Sequence, residues 1–326
     1  MSGRVLFVSE HDLERAENLR AVYEAYDGHK RFSRGIRHME SAPRDGYAAV
    51  VCDSLPVYMP DKGDCKSIVI GHGINGDKKY ALDEKRAGID KLALSQIDYA
   101  VNQSTQTAEI MARQFGIPLE RVVNLGMPRT DAFFGKSKGD GGTPLGRFKR
   151  AYFYAPTYRD QLNGKRLPRI NWQKLDKMLA DDEAIVVKRH YFQRKPVTGG
   201  RLRRIAEVEP HMASTPFVVD CDVLLTDYSS IVFDAYVAGK PSVLTVDDME
   251  SYLSTRGMNL DYPREYGSRW LRVERNEVGL LATLREAAHT GMTDVEHGIR
   301  RRVADMCDGH STERVCELIR SIACGC

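Results

Sequence analysis

The stretch that decides the fold is Asp222-Val-Leu-Leu-Thr-Asp-Tyr-Ser-Ser-Ile-Val-Phe-Asp234. Three consecutive apolar residues, 223–225, predict a buried strand of a parallel sheet. The polar residues after them predict a turn and the N-cap of a helix that runs to about Ala238. The start of a helix presents unpaired N–H groups and the positive end of its dipole. A strand, a turn and a helix in this order therefore predict a phosphate-binding loop.

Five side chains of this loop are candidates for holding or organising a phosphate: Thr226, Asp227, Ser229, Ser230 and Asp234. The hydroxyls would donate hydrogen bonds to phosphate oxygens, and either carboxylate would orient them. Serine and aspartate are also the usual caps of helices that bind nothing, so the loop taken alone leaves both interpretations open.

The bulk properties of the chain place it in a broad class of protein. Its 326 residues suffice for two ordinary domains, and 42% hydrophobic with 29% charged residues is typical of a soluble globular protein. No apolar run has the length of a membrane span, and the N-terminal apolar segment is too short for a signal peptide. We therefore expect a cytoplasmic protein. A net charge of +3 gives no general reason to expect nucleic acid binding.

Two features of the charge and cysteine content narrow the class further. Basic residues concentrate in 29–44 and 188–204, which suits phosphates or an anionic membrane surface, although the first cluster is equally typical of a solvated face. The seven cysteines are odd in number, irregularly spaced and lack a Cys-x-x-Cys pair. That pattern predicts reduced thiols, with neither a disulfide framework nor a zinc site.

Strand and helix patterns alternate along both halves of the chain, which predicts an α/β fold of two Rossmann-like domains. The predicted strands are 4–8, 48–52, 67–71, 98–102, 121–125, 150–158, 184–188, 217–219, 223–225 and 241–246. The predicted helices are 11–25, 83–95, 104–115, 172–180, 231–238, 275–289, 295–306 and 311–323. A glycine-rich stretch at 135–147 is typical of a linker. The segments are then an acceptor-side domain at 1–138, a donor-binding domain at 148–291 and closing helices at 292–326. Loops at the carboxyl ends of both sheets are expected to face one ligand cleft.

A histidine flanked by glycines follows the strand at 67–71. His72 can act as a general base for a hydroxyl, because neutral imidazole is available near pH 7. Gly71 and Gly73 allow backbone N–H groups to line an anion site. A tight glycine turn with an incidental histidine is the alternative.

Three further loops carry cations or hydroxyls at predicted strand ends. Arg129 is suited to pairing with a phosphate, or to a surface contact with Asp131. Thr157 and Arg159 follow the strand at 150–158. The fourth loop follows the strand at 184–188, where Lys188, Arg189 and His190 stand together. Placing such charges at the end of a buried strand without an anion is costly, so the five loops together predict a phosphate-handling site.

Taken in order, these motifs resemble the CDP-glycerol glycerophosphotransferase family, which includes teichoic-acid primases and poly(glycerol phosphate) polymerases. The resemblance covers roughly residues 65–323. It is carried by His72-Gly73, by Gly126-x-Pro-Arg-x-Asp131, by Tyr154-Ala-Pro-Thr-Tyr-Arg-Asp160, by Lys188-x-His190 and by the stretch 222–234 quoted above. Gly239-Lys-Pro241, Tyr252, Arg256-Gly257 and Asp308-Gly-x-Ser-x-x-Arg314 continue it.

The resemblance implies a GT-B glycosyltransferase architecture and a particular reaction. Glycerol phosphate or a related polyol phosphate would pass from a CDP-alcohol to an acceptor hydroxyl, lipid-linked or glycan, with release of CMP. His72 would be the general base, and His190 would stabilise the pyrophosphate or protonate the leaving phosphate. The donor phosphates would be held by the cations and hydroxyls of the loops, with Arg256 among them. No metal or other cofactor is expected, since arginine, lysine and a helix N-terminus supply the positive charge. The family's wall enzymes act at the inner membrane face, so a peripheral membrane position is expected.

The sequence departs from the family pattern near the predicted base and the second histidine. Ile74 and Asn75 follow His72-Gly73 where members often have threonine, and Tyr191 replaces the usual proline after His190. These changes bear on the acceptor and the polyol more than on the reaction class. A GT-B nucleotide-sugar glycosyltransferase is the alternative enzyme. A non-catalytic binding protein is disfavoured because both histidines are present.

Overall fold

The computed structural model describes residues 3–34, 46–53, 59, 62–71, 88–158, 170–193 and 195–325 of the chain, without the side chains of 88–91 and 255–256. The strands are β1 (Arg4–Ser9), β2 (Lys30–Arg34), β3 (Tyr47–Cys52), β4 (Lys66–Val69), β5 (Tyr99–Asn102), β6 (Val122–Asn124), β7 (Arg150–Tyr154), β8 (Glu183–Val187), β9 (Ile205–Glu207), β10 (Val223–Thr226), β11 (Ser242–Thr245) and β12 (Trp270–Leu271). The helices are α1 (Glu17–Ala25), α2 (Gly88–Ser95), α3 (Ala108–Phe115), α4 (Trp172–Met178), α5 (Thr215–Asp220), α6 (Ile231–Val237), α7 (Met249–Arg256), α8 (Glu277–Thr290), α9 (Asp294–Val303) and α10 (Ser311–Cys324).

The chain divides into two compact units. One comprises Met1–Phe134 with Arg302–Cys326, and the other comprises Gly135–Arg301. Each contains a six-stranded sheet, in the order β2-β1-β3-β4-β5-β6 and β12-β11-β10-β7-β8-β9 respectively. All neighbouring strands in both sheets run parallel.

The central strands are apolar without alternation because helices cover both faces of a parallel sheet. All four residues of β10 are buried, as are five of the six residues of β1. In the second unit, α4 and α8 contribute Trp172, Leu175, Leu280 and Leu284 to the core beneath this sheet. The predicted strand at 223–225 is thus the middle of a sheet.

The order of strands reverses once in each sheet. In the second sheet the chain proceeds from β7 to β8 and β9, then returns to place β10 on the other side of β7. The crevice at the carboxyl ends of the two strands where the order reverses is the usual ligand position in such sheets. In the second unit that position lies between the loops after β7 and β10.

The last helix belongs to the first unit. Val315, Cys316 and Ile319 of α10 are buried in one core with Val5 and Phe7 of β1. The segments predicted from sequence, 1–138, 148–291 and 292–326, therefore differ from the structural units mainly at the C-terminus. The difference arises because α10 buries its apolar stripe against β1 and β3, which lie about 260 to 310 residues earlier in the chain.

The glycine-rich stretch predicted as a linker is folded onto the second unit. Asp220 accepts hydrogen bonds from the amides of Gly139, Gly141 and Thr143 at 2.8, 3.0 and 2.8 Å. Its carboxylate also accepts from the Thr143 hydroxyl at 2.8 Å. The fully buried Asp220 thereby fixes a segment that has little apolar side chain of its own.

The predicted strand at 217–219 is wrong: these residues lie in α5. Pro216 in its first turn favours a helix start, and a short apolar run does not by its periodicity distinguish a strand from a buried helix. The sequence analysis also missed β2, β9 and β12, which are edge strands of five, three and two residues. Short, partly exposed edge strands give little apolar signal. None of the helices in the described part of the chain combines the length and apolar character needed to cross a bilayer.

Candidate active site

Three adjacent strands of the second sheet bring the predicted phosphate loops to one edge. The strands β10, β7 and β8 lie side by side and end at Thr226, Tyr154 and Val187. Backbone hydrogen bonds also connect the residues that directly follow these strands to the neighbouring strands. The amide of Ala155 donates to the Leu225 carbonyl at 3.0 Å, and the amide of Lys188 donates to the Tyr154 carbonyl at 2.9 Å. The structure thus brings the stretches beginning at 155, 188 and 227 together.

The first two polar residues of the predicted phosphate loop at 226–234 form hydrogen bonds that support the fold. The hydroxyl of Thr226 donates to the Ala155 carbonyl at 2.7 Å, and Asp227 accepts from the Thr157 amide at 2.7 Å. Both side chains are fully buried. A buried carboxylate does not favour a phosphate beside it, so Asp227 contributes by fixing the neighbouring loop.

The two serines lie at the start of α6, where the chain turns from β10. Ser229 and Ser230 are both partly exposed. Ser230 is the N-cap residue, yet its hydroxyl makes no capping hydrogen bond. The serines are therefore the side chains of this loop that are placed to donate outward, whereas Asp234 is buried in the first turn of the helix.

A tyrosine cluster holds the turn between the aspartate and the serines. The ring of Tyr228 is fully buried and stacks on Tyr252 with ring centroids 4.0 Å apart. The Tyr228 hydroxyl donates to Asp248 at 2.9 Å. The Tyr262 ring packs against the Tyr228 ring, with the ring centroids 4.8 Å apart. Tyr252, one of the residues that carry the family resemblance, thus supports the predicted phosphate loop by stacking on Tyr228.

The two cations after β8 have different surroundings. Arg189 forms an ion pair with Glu207 at 2.7 Å, and both side chains are largely buried, 14% and 9% exposed. Its Nε also donates to the Gln193 carbonyl at 2.9 Å. Glu207 accepts further hydrogen bonds from the amides of Val197 and Thr198 at 3.0 and 3.1 Å. The Arg189 guanidinium thus stabilises the loop between β8 and β9. Lys188, in contrast, is partly exposed at the carboxyl end of β8.

His190 lies in an aromatic cluster that joins the loops after β7 and β8. Its ring is 5.7 Å from Tyr158, 4.4 Å from Tyr191 and 5.4 Å from Phe192. The amide of Phe192 donates to Nδ1 of His190 at 3.3 Å. An Nδ1 that accepts a hydrogen bond carries no proton, so the neutral ring has its proton on Nε2.

In the first unit, a single buried side chain connects two predicted site loops. Asn18 of α1 donates from Nδ2 to the Gly71 carbonyl at 3.0 Å and accepts from the Arg129 amide at 2.9 Å. The Arg129 guanidinium lies 3.9 Å from the carboxylate of Glu17, with the two side chains 13% and 9% exposed. Gly71 is buried with φ of 81°, a conformation that glycine adopts without strain.

Two of the family-like motifs meet each other at the start of α10. Asp131 accepts from the amides of Ser311 and Thr312 at 3.0 and 2.6 Å. Arg314 donates to the Leu125 carbonyl at 2.9 Å and forms an ion pair with Asp308 at 2.8 Å. These residues close the first unit and are not candidates for ligand contact.

The sequence analysis missed buried polar residues at other strand ends of the first sheet. Ser9 donates to Asp53 at 2.8 Å, and the two residues are 1% and 3% exposed. They end or follow β1 and β3, where the strand order reverses. Asn102 ends β5 and is fully buried. A polar residue directly after an apolar strand is the signal that would have identified each of them.

Four predicted site residues lie outside the described part of the structure. His72, Gly73 and Arg159 fall in segments that are not described, and the side chain of Arg256 is likewise not described although its backbone ends α7. Of the basic cluster at 29–44, Lys30 donates to backbone carbonyls of α1 and its C-cap, and Arg34 pairs with Asp12 at 3.1 Å. Within the described ranges, no three His, Cys, Asp or Glu side chains group closely enough to hold a metal ion.

The fold and the clustered loops define a class: an α/β protein with two parallel sheets, of GT-B architecture, with polar loops at the carboxyl ends of its strands. The solved structure of the wall teichoic acid polymerase TagF matches 99% of this chain and 89% of that chain with a TM-score of 0.80 at 19% identity. This confirms the predicted fold class.

The chain belongs to the CDP-glycerol:poly(glycerophosphate) glycerophosphotransferase family, whose model matches residues 3–321. The family assignment made from the motifs is thus confirmed. The teichoic acid ribitol-phosphate primase of Bacillus spizizenii is 24% identical, over 98% of this chain and 91% of that protein. The teichoic acid glycerol-phosphate primase of Bacillus subtilis is 26% identical, over 60% of this chain and 54% of that protein. The chain spans about half the length of several relatives it matches, with 40%, 54% and 60% of three of them covered.

Proposed function

We propose that this chain transfers a polyol phosphate from a CDP-alcohol to an acceptor hydroxyl and releases CMP. The observation that carries the proposal is the convergence of Ser229, Ser230, Lys188 and His190 on the edge where β10, β7 and β8 end. Hydroxyls, a cation and an imidazole suit a pyrophosphate, and membership of the family points to the CDP-alcohol as its source. One of the solved TagF structures was soaked with CDPG.

The reaction requires one bond to form and one to break at phosphorus. The acceptor oxygen attacks the phosphorus that carries the polyol, and the bond from this phosphorus to the bridging oxygen breaks. The electron pair stays on that oxygen, which leaves as part of CMP. The acceptor proton passes to a base, for which the sequence offers His72. Such a transfer depends mainly on positioning and on stabilising charge.

For His190 the hydrogen-bond geometry favours donation to phosphate over protonation of the leaving group. With Phe192 bonded to Nδ1, the neutral imidazole offers Nε2–H as a donor. The phosphate that leaves with CMP has a second pKa near 6, so at neutral pH it departs without needing a full proton. A neutral donor aimed at the pyrophosphate then stabilises the charge that develops on the bridging oxygen.

The candidates for the acceptor and for the polyol come from the relatives rather than from this site. Both glycerol-phosphate and ribitol-phosphate enzymes of teichoic acid synthesis are among them, so both donors are candidates. A lipid-linked or glycan acceptor would fit this group and would bring the chain to a membrane surface, where it would be held peripherally.

The test is CMP release from CDP-glycerol and CDP-ribitol, compared with UDP-glucose and UDP-N-acetylglucosamine, with a lipid extract of Bacillus subtilis membranes as acceptor. We expect CMP from a CDP-alcohol and no UDP from either sugar donor. His72→Ala should abolish transfer and leave CDP-alcohol binding intact. UDP release from a sugar would replace the proposal with the nucleotide-sugar glycosyltransferase, and near-normal turnover of His72→Ala would refute the assignment of the base.

A further inference from the structure

We infer that Asn18 is a positioning residue for the acceptor side of the reaction. It joins the backbone immediately before His72 to the backbone of Arg129 through its one carboxamide. This inference rests on the proposed function, because it takes His72 as the base.

The carboxamide is suited to this position by its chemistry. It faces a carbonyl that requires a donor and an amide that requires an acceptor, and it is 1% exposed. Asparagine and glutamine offer a donor nitrogen and an acceptor oxygen on the same planar carboxamide. Satisfying both backbone groups removes the cost of burying them unpaired.

The sheet does not by itself fix the two loops relative to each other. The Gly71 loop follows β4 and the Arg129 loop follows β6, and β5 lies between these strands. Gly71 also has a positive φ of 81°, so the backbone departs from the extended conformation of β4 at this residue. Asn18, in the first turn of α1, is hydrogen-bonded to both loops and so holds them relative to each other.

The neighbouring residue of α1 acts on the same loop. The Glu17 carboxylate lies 3.9 Å from the Arg129 guanidinium, so the first turn of α1 contacts both the backbone and the side chain of Arg129. The helix turn therefore defines where this arginine is held and where the chain enters the His72 segment. We name Asn18, Gly71, Arg129 and Glu17 the α1 clasp.

The experiment compares Asn18→Asp and Asn18→Leu with Gln96→Glu in the full chain. An aspartate at position 18 keeps the acceptor for Arg129 but sets a carboxylate oxygen against the Gly71 carbonyl, whereas leucine removes both bonds. Gln96 is the matched control, since its carboxamide also accepts from a backbone amide and donates to a backbone carbonyl, those of Met59, at 2.9 and 2.7 Å. It precedes β5 and so lies at the opposite end of that strand from the two loops. Turnover is followed as CMP release from CDP-glycerol with the lipid extract, and donor binding by calorimetry with CDP-glycerol.

We expect kcat to fall about 10- to 100-fold in both Asn18 variants, the effect usual for residues that orient a reacting group. The Kd of CDP-glycerol should stay unchanged, and Gln96→Glu should keep kcat within about twofold because its effect is on stability alone. Hydrogen exchange should accelerate at the Arg129 amide in Asn18→Leu and not in Gln96→Glu. Equal kcat in the Asn18 and Gln96 variants would overturn the inference.

The exchange measurement separates this inference from the proposed function. If wild type releases no CMP, or if His72→Ala turns over normally, the proposed function fails. The clasp itself is then refuted only if the Arg129 amide remains equally protected in Asn18→Leu. Protection that is lost at Arg129 together with unchanged kcat would show a structural contact without a positioning role.

Discussion

Ser229 and Ser230 stand at the start of α6 with their side chains partly exposed. Replacing both with alanine should weaken CDP-glycerol binding about tenfold or more, since a hydrogen bond to a charged group contributes about 1.5–3 kcal/mol. Calorimetry with CDP-glycerol measures the change. Ser254→Ala is the control, because that hydroxyl is exposed and bonded to the Ser251 carbonyl of its own helix at 3.0 Å. Unchanged affinity in the double variant would remove the phosphate-binding role.

The hydrogen bond at Nδ1 of His190 leads to a prediction about which amide can replace the ring. The Nε2 of glutamine reaches about the position of the imidazole Nε2, whereas the asparagine amide reaches that of Nδ1. His190→Gln should therefore retain more kcat than His190→Asn by about tenfold, the effect of one charge-assisted donor. Nitrogen NMR of labelled histidine provides a second measurement. A proton found on Nδ1 of the neutral ring, or equal kcat in the two variants, would contradict the assigned tautomer.

The sequence predicted the types of the candidate site residues, but it did not predict which residues they contact. The sequence gives no reason to distinguish the three polar residues after β8, which are Lys188, Arg189 and His190. In the structure Arg189 is paired with Glu207, whereas His190 is surrounded by aromatic rings. Glu207 lies on an edge strand 18 residues later, and no local pattern connects it to Arg189. The phosphate-binding roles assigned to these side chains stay predictions.

At the scale of elements, Asp220 fixes the glycine-rich segment that precedes β7. Burial acts to raise the pKa of this carboxyl, but hydrogen bonds from Thr143 and from the Gly139 and Gly141 amides outweigh it, and the pKa is lowered. Asp220→Asn should destabilise the second unit by about 2–4 kcal/mol, because an amide has one acceptor oxygen in place of two. Denaturant unfolding measures the loss. Asp140→Asn, which removes charge at an exposed aspartate of the same segment, should cost less than about 1 kcal/mol.

Glu183 at the start of β8 gives the second unit a defined response to acid. Burial acts to raise the pKa of Glu183, but hydrogen bonds from Arg285, the Ala180 amide and Tyr152 hold the pKa at about 2. A glutamate in an unfolded chain titrates at about pH 4.3. The contribution of Glu183 is thus fully present above that pH and is lost as the pH falls toward 2.

We expect the wild type to lose its stability advantage over Glu183→Gln across this acid window. At neutral pH the variant should be less stable by about 2 kcal/mol. This is below the usual cost of breaking a buried pair, because Arg150 and Arg285 are 35% and 41% exposed and water can solvate them. Urea unfolding at a series of pH values measures the difference. A difference that does not shrink between pH 4.3 and pH 2 would contradict the lowered pKa.

At the scale of the whole molecule, the C-terminal helix completes a core that the N-terminal residues begin. Ile319 of α10 is fully buried among side chains of β1 and α1. Ile319→Ala should destabilise the first unit by about 2–5 kcal/mol, the usual cost of such a truncation in a packed core. Hydrogen exchange should accelerate in β1 and β3 more than in β7 and β10. Glu317→Ala, on the exposed side of the same helix, should leave both sheets protected.

The sequence by itself determined the α/β class, the central strands and the position of the polar loops that carry the proposed site, and it determined the family. It did so because these features are local: an apolar run of three to five residues, a turn and a cap lie within one short window. Only the tertiary structure decided that α10 belongs with β1, that Asp220 folds the glycine-rich segment, and that Asn18 joins Gly71 to Arg129. Those contacts connect residues 53 to more than 290 positions apart, and nothing in a local window records which distant backbone groups a buried polar side chain will satisfy.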